Sequence, residues 1–285
     1  MSPKSERCIQ QVWKNATEQI AQQLRDETAE TDARVLLQYC LDKSHSYLLT
    51  WPNKQLSETQ NNCFQKALKR RLSGEPIAYI VGYREFWSMP LKVTPATLIP
   101  RPETELLVEL AITRLSDETL QVLDMGTGSG AIALAIATEK PNCQILASDI
   151  SDEALIVAKE NADSLNIKNV RFIKSDWGND IPQQKFDLIV SNPPYIEKND
   201  PHLLQGDLRF EPDIALSANS NGLSDLISVI KFSKQRLKSG GTLLLEHGFD
   251  QHRAVADMFE EHGFSNINNW QDIFGNIRVS GGTSI

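Results

Sequence analysis

The chain has 285 residues, of which 40% are hydrophobic and 23% are charged; this length suits about two domains, and this composition excludes disordered and fibrous proteins. The net charge is −8, which argues against a protein that grips nucleic acid through a broad basic surface. The first ten residues are polar and no run of about 18 apolar residues occurs, so we expect no secretion signal, no membrane span and a cytoplasmic location.

Cysteine and histidine give no sign of a metal centre or of a disulfide framework. The four cysteines are far apart, form no C-x-x-C pair and have no histidine at ligand spacing. Structural zinc sites and disulfide-rich domains both depend on such spacings. We therefore expect no metal, and thiols that stay reduced.

The charge divides the chain into two parts. Residues 1–74 contain 11 basic and 8 acidic residues, a charge of +3, which leaves 18 basic and 29 acidic residues, a charge of −11, in 75–285. In the first part, apolar residues recur at helical spacing, and Ser57 with Gln60 forms a capping box that begins a helix. The clearest helical runs are Leu36, Leu37, Cys40 and Leu41, and Phe64, Ala67, Leu68 and Leu72. The sequence predicts a helical domain over 1–75.

A proline-rich stretch follows this domain. Pro76, Pro90, Pro95 and Pro100 stand among aromatic and β-branched residues, a composition that disfavours a helix and suits an edge hairpin. We predict a linker with a β-hairpin, rather than a helix, over 76–100, and a second domain over 101–285.

In the second domain, strand-like runs alternate with helical ones, which predicts a parallel sheet covered by helices. The predicted strands are 120–125, 144–149, 170–175, 186–191 and 242–246, and the predicted helices are 131–138, 152–161 and 223–237. Residues 238–241, Lys-Ser-Gly-Gly, are predicted to be the turn between the last of these helices and the strand that follows it.

A glycine-rich segment follows the first of these strands. It runs Asp124-Met125-Gly126-Thr127-Gly128-Ser129-Gly130 and stands directly before the helix over 131–138. Glycines let the backbone turn sharply and approach a ligand without Cβ contact, and a loop at this place in an α/β sheet binds a nucleotide. Gly126, Gly128 and Ala131 also satisfy the dinucleotide fingerprint, so nicotinamide and flavin enzymes remain open at this point.

The ends of the next two strands carry further candidates. Asp149 ends the second strand, 19 residues after Gly130, where a carboxylate accepts hydrogen bonds from ribose hydroxyls; its alternative role is to cap the helix over 152–161. After the third strand, Asp176 offers an acceptor for an exocyclic amine, and the Trp177 ring suits stacking on a purine. Trp177 as an ordinary core residue is the alternative.

The sharpest motif is Asn192-Pro193-Pro194-Tyr195, directly after the strand over 186–191. The two prolines remove two N–H donors, so the turn presents carbonyl acceptors beside the Asn192 amide. If the Asn192 oxygen and the Pro193 carbonyl accept both hydrogens of a planar amino group, the nitrogen lone pair is aimed at an electrophile while Tyr195 packs on that group. We predict catalytic roles for Asn192, Pro193 and Tyr195, with a plain loop terminator as the alternative.

The glycine loop and the Asn-Pro-Pro-Tyr turn together resemble the class I S-adenosylmethionine-dependent methyltransferases that act on exocyclic or amide nitrogen. Other segments resemble the PrmC/HemK family, the protein-(glutamine-N(5)) methyltransferases of peptide-chain release factors. These segments are Gly74-Glu75-Pro76-Ile77-Ala78-Tyr79-Ile80, Gly82-Tyr83-Arg84-Glu85-Phe86-Trp87, Leu98-Ile99-Pro100-Arg101-Pro102-Glu103-Thr104-Glu105, and Glu246-His247-Gly248 with Gln251.

The resemblance implies an α/β, Rossmann-like fold with a mostly parallel seven-stranded sheet and a small N-terminal helical domain that recognises the substrate. It implies that S-adenosyl-L-methionine is the cofactor and S-adenosyl-L-homocysteine the product, and that the acceptor is the glutamine in the Gly-Gly-Gln motif of bacterial class 1 release factors. The implied cofactor contacts are Gly126, Thr127, Gly128, Ser129, Gly130, Asp149, Trp177 and Asn192, and the implied substrate contacts are Asn192, Pro193, Pro194 and Tyr195.

Other functions use parts of the same pattern. Glutamine methyltransferases of a ribosomal protein and adenine-N(6) methyltransferases of DNA or RNA share the tetrapeptide, but the acidic second part has no basic stripe, so no stable nucleic-acid binding is expected. A binding domain without turnover would leave the tetrapeptide idle, and a dehydrogenase would have no use for it. Arg101 is expected to orient the mouth of the site or to anchor Glu103 or Glu105.

Overall fold

The computed structural model describes residues 7–25 and 27–285, and the chain falls into two compact units, residues 1–82 and residues 83–285. Residues 1–6, which make up most of the polar start of the sequence, lie outside the described residues. Within the described ranges, no helix is both long enough and apolar enough to cross a membrane.

The described residues of the first unit form five helices: α1 Ile9–Leu24, α2 Ala29–Leu41, α3 His45–Thr50, α4 Glu58–Leu72 and α5 Ile77–Val81. In α1 the buried residues are Ile9, Val12, Ala16 and Ile20, whose spacing of three or four residues places them on one face of the helix. This face packs against α2 and α4. The predicted capping box of Ser57 and Gln60 is confirmed at the start of α4, as is the helical character of this part of the chain.

Helix α5 is a difference from the sequence prediction, which places no helix in 76–100. Pro76 precedes its first turn, where a missing N–H costs nothing, and Gly82 ends it with a φ of 84°. Ile80 and Val81 are buried in the core of the first unit, and this burial outweighs the weak helical signal of so short a segment. The β-hairpin of this stretch, β1 Tyr83–Phe86 and β2 Met89–Lys92, is antiparallel and belongs to the second unit.

The second unit is built on a seven-stranded sheet with the strand order β10-β11-β9-β6-β3-β4-β5. Strands β9, β6, β3, β4 and β5 are parallel, whereas β10 and β11 are antiparallel. This confirms the predicted mostly parallel, Rossmann-like sheet. The elements after the hairpin are α6 Glu105–Arg114, β3 Gln121–Met125, α7 Ala131–Glu139, β4 Gln144–Asp149, α8 Asp152–Ser164, β5 Val170–Lys174, β6 Phe186–Ser191, β7 Ile196–Glu197, α9 Asp213–Leu216, β8 Ser217–Ala218, α10 Asn219–Gly222, α11 Ser224–Arg236, β9 Leu237–Glu246, α12 His252–Glu261, β10 Phe264–Gln271 and β11 Ile277–Ser284.

Strand β9 begins earlier than predicted. Phe186 of β6 pairs with Leu237, but the next pair is Leu188 with Thr242, so residues 238–241 form a bulge inside the strand rather than a turn before it. Gly240 has a φ of 79° there, a conformation that glycine adopts without steric cost. Gly240 and Gly241 therefore indicate an irregular backbone correctly, but β9 pairs with β6 on both sides of this bulge.

Parallel strands bring the site residues together because their carboxyl ends share one edge of the sheet. Strands β3, β4 and β6 end at Met125, Asp149 and Ser191, and β9 ends at Glu246. Their cores are buried and apolar, and α7, buried from Ala131 to Ala137, covers the sheet beside them. The glycine loop, Asp149 and the Asn-Pro-Pro-Tyr turn thus leave the sheet at the same edge.

Candidate active site

Two cavities meet at the carboxyl edge of the sheet. The larger has a volume of about 200 Å³ and the smaller about 70 Å³. Asn192 and Pro194 line both of them, so the two cavities adjoin at these residues. Of the residues predicted from the sequence, the larger cavity is lined by Gly126, Gly128, Asp149, Asp176, Trp177, Asn192 and Pro194, and the smaller by Asn192, Pro193, Pro194 and Tyr195.

The glycine loop leaves open space on the side of the larger cavity. The N–H groups of Gly126 and Thr127 both donate to the carbonyl of Ser148 at 2.9 Å, which anchors the loop to the end of β4. A Cβ at Gly126 would lie 3.6 Å from the Trp177 ring, and a Cβ at Gly128, whose φ is 56°, would meet nothing within 4 Å. The backbone at Gly128 is therefore accessible to a ligand in this cavity.

Three other residues of the loop shape it from behind and do not line either cavity. The Thr127 hydroxyl donates to the Asp124 carboxylate at 2.6 Å, the Ser129 carbonyl accepts from Asn161 at 2.9 Å, and Gly130 begins α7 with a φ of 85°. Asp124 is fully buried, and burial raises its pKa to about 7. Direct cofactor contacts by Thr127, Ser129 and Gly130 stay predictions, since the structure places these residues in the support of the loop.

Asp149 is held as an acceptor at the wall of the larger cavity. Its two carboxylate oxygens accept from the backbone N–H groups of Gly128 and Ser151 at 2.8 and 2.9 Å. Burial raises the pKa of Asp149, and these backbone donors offset part of that rise. Each carboxylate oxygen still has a lone pair to offer. The alternative role as a helix cap is wrong, because the Ser151 hydroxyl caps α8 by accepting from Ala154.

Trp177 stands in a backbone conformation that bulky residues rarely adopt, with a φ of 44°. Burial raises the pKa of Asp225, which also lines the larger cavity, and the nearby Trp177 indole offsets part of that rise. Strained positions of this kind cluster at functional sites, where the surroundings hold them in place. Asp225 carries no local signal in the sequence, because it reaches the cavity from the start of α11, 48 residues after Trp177.

The Asn-Pro-Pro-Tyr turn is held by side chains from outside it. The Ser191 hydroxyl donates to the Met125 carbonyl at 2.7 Å, and Gln251 donates to the Tyr195 carbonyl at 3.0 Å. The Asn192 amide donates from Nδ2 to the Thr104 hydroxyl at 3.2 Å. This last contact leaves Oδ1 as the acceptor that Asn192 offers to a ligand.

Tyr195 packs directly against Gly222, which has a φ of 77°. A Cβ at Gly222 would lie 2.0 Å from the Tyr195 carbonyl oxygen, far inside van der Waals contact. Burial raises the pKa of the Tyr195 phenol, so it stays neutral and serves as a packing surface of the smaller cavity. Gly222 thus permits the close approach of the turn, a role that the sequence analysis missed.

Arg101 pairs with Glu211, and not with Glu103 or Glu105 as the sequence suggests. Glu211, whose side chain is fully buried, also accepts from the Ile99 backbone N–H at 3.0 Å. Glu105 instead accepts from the backbone N–H of Trp87 at 2.8 Å. The expected partner was wrong because Glu211 comes from 110 residues further along the chain. The pair ties the Ile99–Arg101 segment to Glu211, beside the smaller cavity that Arg101 lines.

Comparisons with known proteins agree with this geometry. Residues 11–82 match the family described as PrmC N-terminal domain, and residues 116–282 match the family described as Methyltransferase domain. The chain is 53% identical over 255 residues to the release factor glutamine methyltransferase of Aliivibrio fischeri, covering 89% of this chain and 90% of that protein. It is 46% identical over 263 residues to the enzyme of the same name from Escherichia coli, covering 92% and 95%.

Among solved structures, a methyltransferase from Pyrococcus furiosus is similar to this chain with a TM-score of 0.53 and 20% sequence identity. The match covers 78% of this chain and 100% of that chain. A likeness at this level of identity concerns the fold alone, and it agrees with the mostly parallel sheet described above.

We predict that Gly222→Ala destabilises the second unit, because the new Cβ must push the Tyr195 backbone aside. Overpacking of this kind costs about 1–3 kcal/mol. The matched control is Gly240→Ala, since Gly240 has nearly the same φ, 79°, but a Cβ there would meet nothing within 4 Å. Urea denaturation should give a free energy of unfolding for Gly222→Ala that is lower than for Gly240→Ala by about this amount. Equal losses in the two variants would contradict the close contact with Tyr195.

Proposed function

The chain belongs to the release factor glutamine methyltransferase family, and we propose that it transfers a methyl group from S-adenosyl-L-methionine to the side-chain amide nitrogen of the glutamine in the Gly-Gly-Gln motif of bacterial class 1 release factors. The observation that carries the proposal is the junction of the two cavities at Asn192. One cavity has the donors, acceptors and ring of a nucleoside site, and the other has the acceptors of an amide site. Methyl transfer requires such a junction, because the two reactants must touch in line.

The larger cavity fits the cofactor by the chemistry of its walls. Asp149 offers carboxylate lone pairs to ribose hydroxyls, the Trp177 ring offers an apolar face to adenine, and Asp176 offers an acceptor to its exocyclic amine. The open backbone at Gly128 gives room for close approach of the ligand. S-adenosyl-L-methionine supplies a methyl group that is already activated on a sulfonium.

The smaller cavity favours a carboxamide over a nucleobase. Its volume of about 70 Å³ is about a third of the 200 Å³ of the cavity assigned to the cofactor. A glutamine carboxamide needs less room than a two-ring adenine. The acidic charge of the second part of the chain, −11 over 75–285, also works against a nucleic-acid substrate.

The residues of the turn perform the reaction by holding the amide nitrogen. Asn192 Oδ1 and the Pro193 carbonyl accept its two hydrogens, which turns the nitrogen lone pair towards the larger cavity. The same acceptors stabilise the positive charge that develops on the nitrogen as the new bond forms. The positively charged nitrogen is a very strong acid, so one of its two hydrogens leaves as a proton to solvent once the methyl group is bound, and no strong base is required. The neutral Tyr195 ring packs against the planar group.

We further infer that the first unit contacts the release factor, because a single glutamine at a loop tip is too small a determinant for specificity. Its first 74 residues have a charge of +3, and the described part contains a cavity of about 650 Å³ lined in part by Trp13, Leu48 and Leu49. A second contact surface would raise the effective concentration of the glutamine at the turn. Such a substrate, which acts on ribosomes, also supports a cytoplasmic location.

The test is mass spectrometry of an unmethylated class 1 release factor after incubation with the enzyme and S-adenosyl-L-methionine. We expect one added methyl group, mapped by fragmentation to the Gly-Gly-Gln glutamine, and none on a factor in which that glutamine is replaced by alanine. A release factor that stays unmodified by an enzyme that still binds the cofactor would contradict the proposal. Ribosomal proteins and adenine in nucleic acid would then be the acceptors to examine.

We predict that Asp149→Ala weakens cofactor binding, because it removes charge-assisted hydrogen bonds worth roughly 1.5–3 kcal/mol. Isothermal titration should show a Kd for S-adenosyl-L-methionine that is higher by about 10- to 150-fold. Asp152→Ala is the control, since Asp152 lies three residues away and forms an exposed ion pair with Lys174. If Asp149→Ala bound the cofactor as tightly as Asp152→Ala does, the ribose contact would be wrong.

A further inference from the structure

Glu246 is a buried carboxylate beside the catalytic turn that none of the steps above uses. It ends β9, which lies parallel to β6 with Leu245 opposite Ser191, so Glu246 and Asn192 leave the sheet side by side. Its side chain is 2% exposed. Among the described residues, its Oε2 atom has no hydrogen-bond partner although it is buried. A buried carboxylate with an unsatisfied oxygen is costly, and its presence calls for a functional reason.

A short chain of hydrogen bonds connects this carboxylate to Asn192. The Asn192 amide donates from Nδ2 to the Thr104 hydroxyl at 3.2 Å. Thr104, which is buried, and Asn192 both lie close enough to the Glu246 carboxyl group to lower its pKa and so favour its charged form. Thr104 reaches this place from the proline-bracketed segment before α6, and Glu246 from the end of β9.

The chemistry of the three groups fixes the direction of these bonds. An ionised carboxylate only accepts, so the single hydroxyl proton of Thr104 points to Glu246, and the Thr104 oxygen accepts from the Asn192 NH₂ group. The Asn192 oxygen must then lie on the other side of the amide. Without the carboxylate, the Thr104 hydroxyl could donate to the Asn192 oxygen instead, and the amide could turn over with its NH₂ group towards the substrate.

We propose that Glu246 is a positioning residue which, directly and through Thr104, holds the Asn192 amide with its oxygen towards the acceptor cavity. This inference rests on the proposed function, because the oxygen is needed there to accept a hydrogen from the glutamine amide. A reversed Asn192 would present hydrogens to hydrogens and repel the substrate NH₂ group. Glu246 touches neither reactant in this account and acts only through its neighbours.

The ionisation of Glu246 adds a pH dependence. Burial raises the pKa of Glu246 to about 7, against the hydrogen bonds of Thr104 and Asn192. Arg278 of β11 also favours the charged form, while Glu103, in the turn before α6, opposes it, and the neutral Tyr195 phenol lies near enough to feel the same charge. A protonated Glu246 can donate a hydrogen bond to the Thr104 oxygen, so the Thr104 hydroxyl is free to donate to the Asn192 oxygen and the amide can turn over. Turnover should therefore rise with pH through about 7.

The closing experiment compares Glu246→Gln with Thr104→Val and Thr104→Ser. Glu246→Gln and Thr104→Val keep the shape but break the chain, and each should lower kcat on a Gly-Gly-Gln peptide on the order of 10²-fold, with the Kd for the cofactor changed by less than about 3-fold. Thr104→Ser keeps the hydroxyl group, so its kcat should stay close to that of the wild type, in contrast to Thr104→Val. The double variant Glu246→Gln with Thr104→Val should have a kcat no lower than that of either single variant, since Glu246, Thr104 and Asn192 act as one unit. In Glu246→Gln the rise of kcat through about pH 7 should be absent.

Stability separates this role from a merely structural one. Because the pKa of Glu246 is raised from 4.5 to about 7 in the folded chain, its contribution to stability is fully present below about pH 4.5 and is lost as the pH rises through about 7. At pH 8, Glu246→Gln should therefore unfold at a temperature no lower than the wild type. A structural role predicts a lower unfolding temperature together with the lost activity.

The NMR signals of the Asn192 side chain test the positioning role of Glu246 without any methyl transfer, and so separately from the proposed function. The side-chain NH₂ signals of Asn192, assigned by their loss in Asn192→Ala, should shift with pH with a midpoint near 7 in the wild type and stay constant in Glu246→Gln. If the enzyme methylates no release factor but its Asn192 signals show this shift, the proposed function is contradicted and the positioning role of Glu246 is supported. Glu246→Gln with wild-type kcat and pH profile, or Asn192 signals indifferent to Glu246 and Thr104, would overturn the positioning role.

Discussion

The turn after β6 has no backbone N–H at two successive positions, because Pro193 and Pro194 lack it. The turn can therefore present acceptors to a substrate amide, but it cannot hold itself in place with backbone donors. The donors come from elsewhere: Gln251 from the start of α12 holds the Tyr195 carbonyl, and Ser191 ties the end of β6 to β3. These two contacts hold the turn that the prolines leave without backbone donors.

The same edge of the sheet also carries features that lower stability. Asp124 and Glu246 are both fully buried carboxyl groups whose pKa burial raises to about 7, and each has one oxygen without a hydrogen-bond partner among the described residues. Trp177, which follows β5 at this edge, adopts a left-handed backbone conformation. Groups of this kind lower stability, and natural proteins keep them where function requires a fixed arrangement. Their concentration along one edge of a sheet marks that edge as the functional part of the second unit.

Local patterns in the sequence predicted the parts of the fold that depend on short-range rules. The glycine loop, the strand that ends in Asp149 and the Asn-Pro-Pro-Tyr turn lie where the alternation of strands and helices placed them. Helix α5 escaped prediction because it has only five residues and is stabilised by burial of Ile80 and Val81 rather than by its own propensity. The start of β9 escaped because pairing with β6 overrides the turn signal of its glycines.

The parts of the site that the sequence did not predict depend on contacts between residues far apart in the chain. Thr104 meets Asn192 across 88 residues and Arg101 meets Glu211 across 110, so no window of the sequence contains both partners. Thr104 and Glu246 both lie in segments that resemble the family, but the resemblance assigned them no role. Only the register of β6 against β9, which sets Ser191 opposite Leu245, shows that Glu246 lies beside the asparagine.

Asn192 contributes more to stabilising the transition state than to binding the cofactor. The most direct measurement is the single-turnover rate of methyl transfer to a Gly-Gly-Gln peptide by Asn192→Ala, at saturating S-adenosyl-L-methionine, with the cofactor Kd measured alongside. Loss of a preorganised acceptor predicts a rate lower by about 10²- to 10³-fold, with a Kd changed by less than about 3-fold. A rate close to that of the wild type, or a loss that appears only in the Kd, would contradict the account.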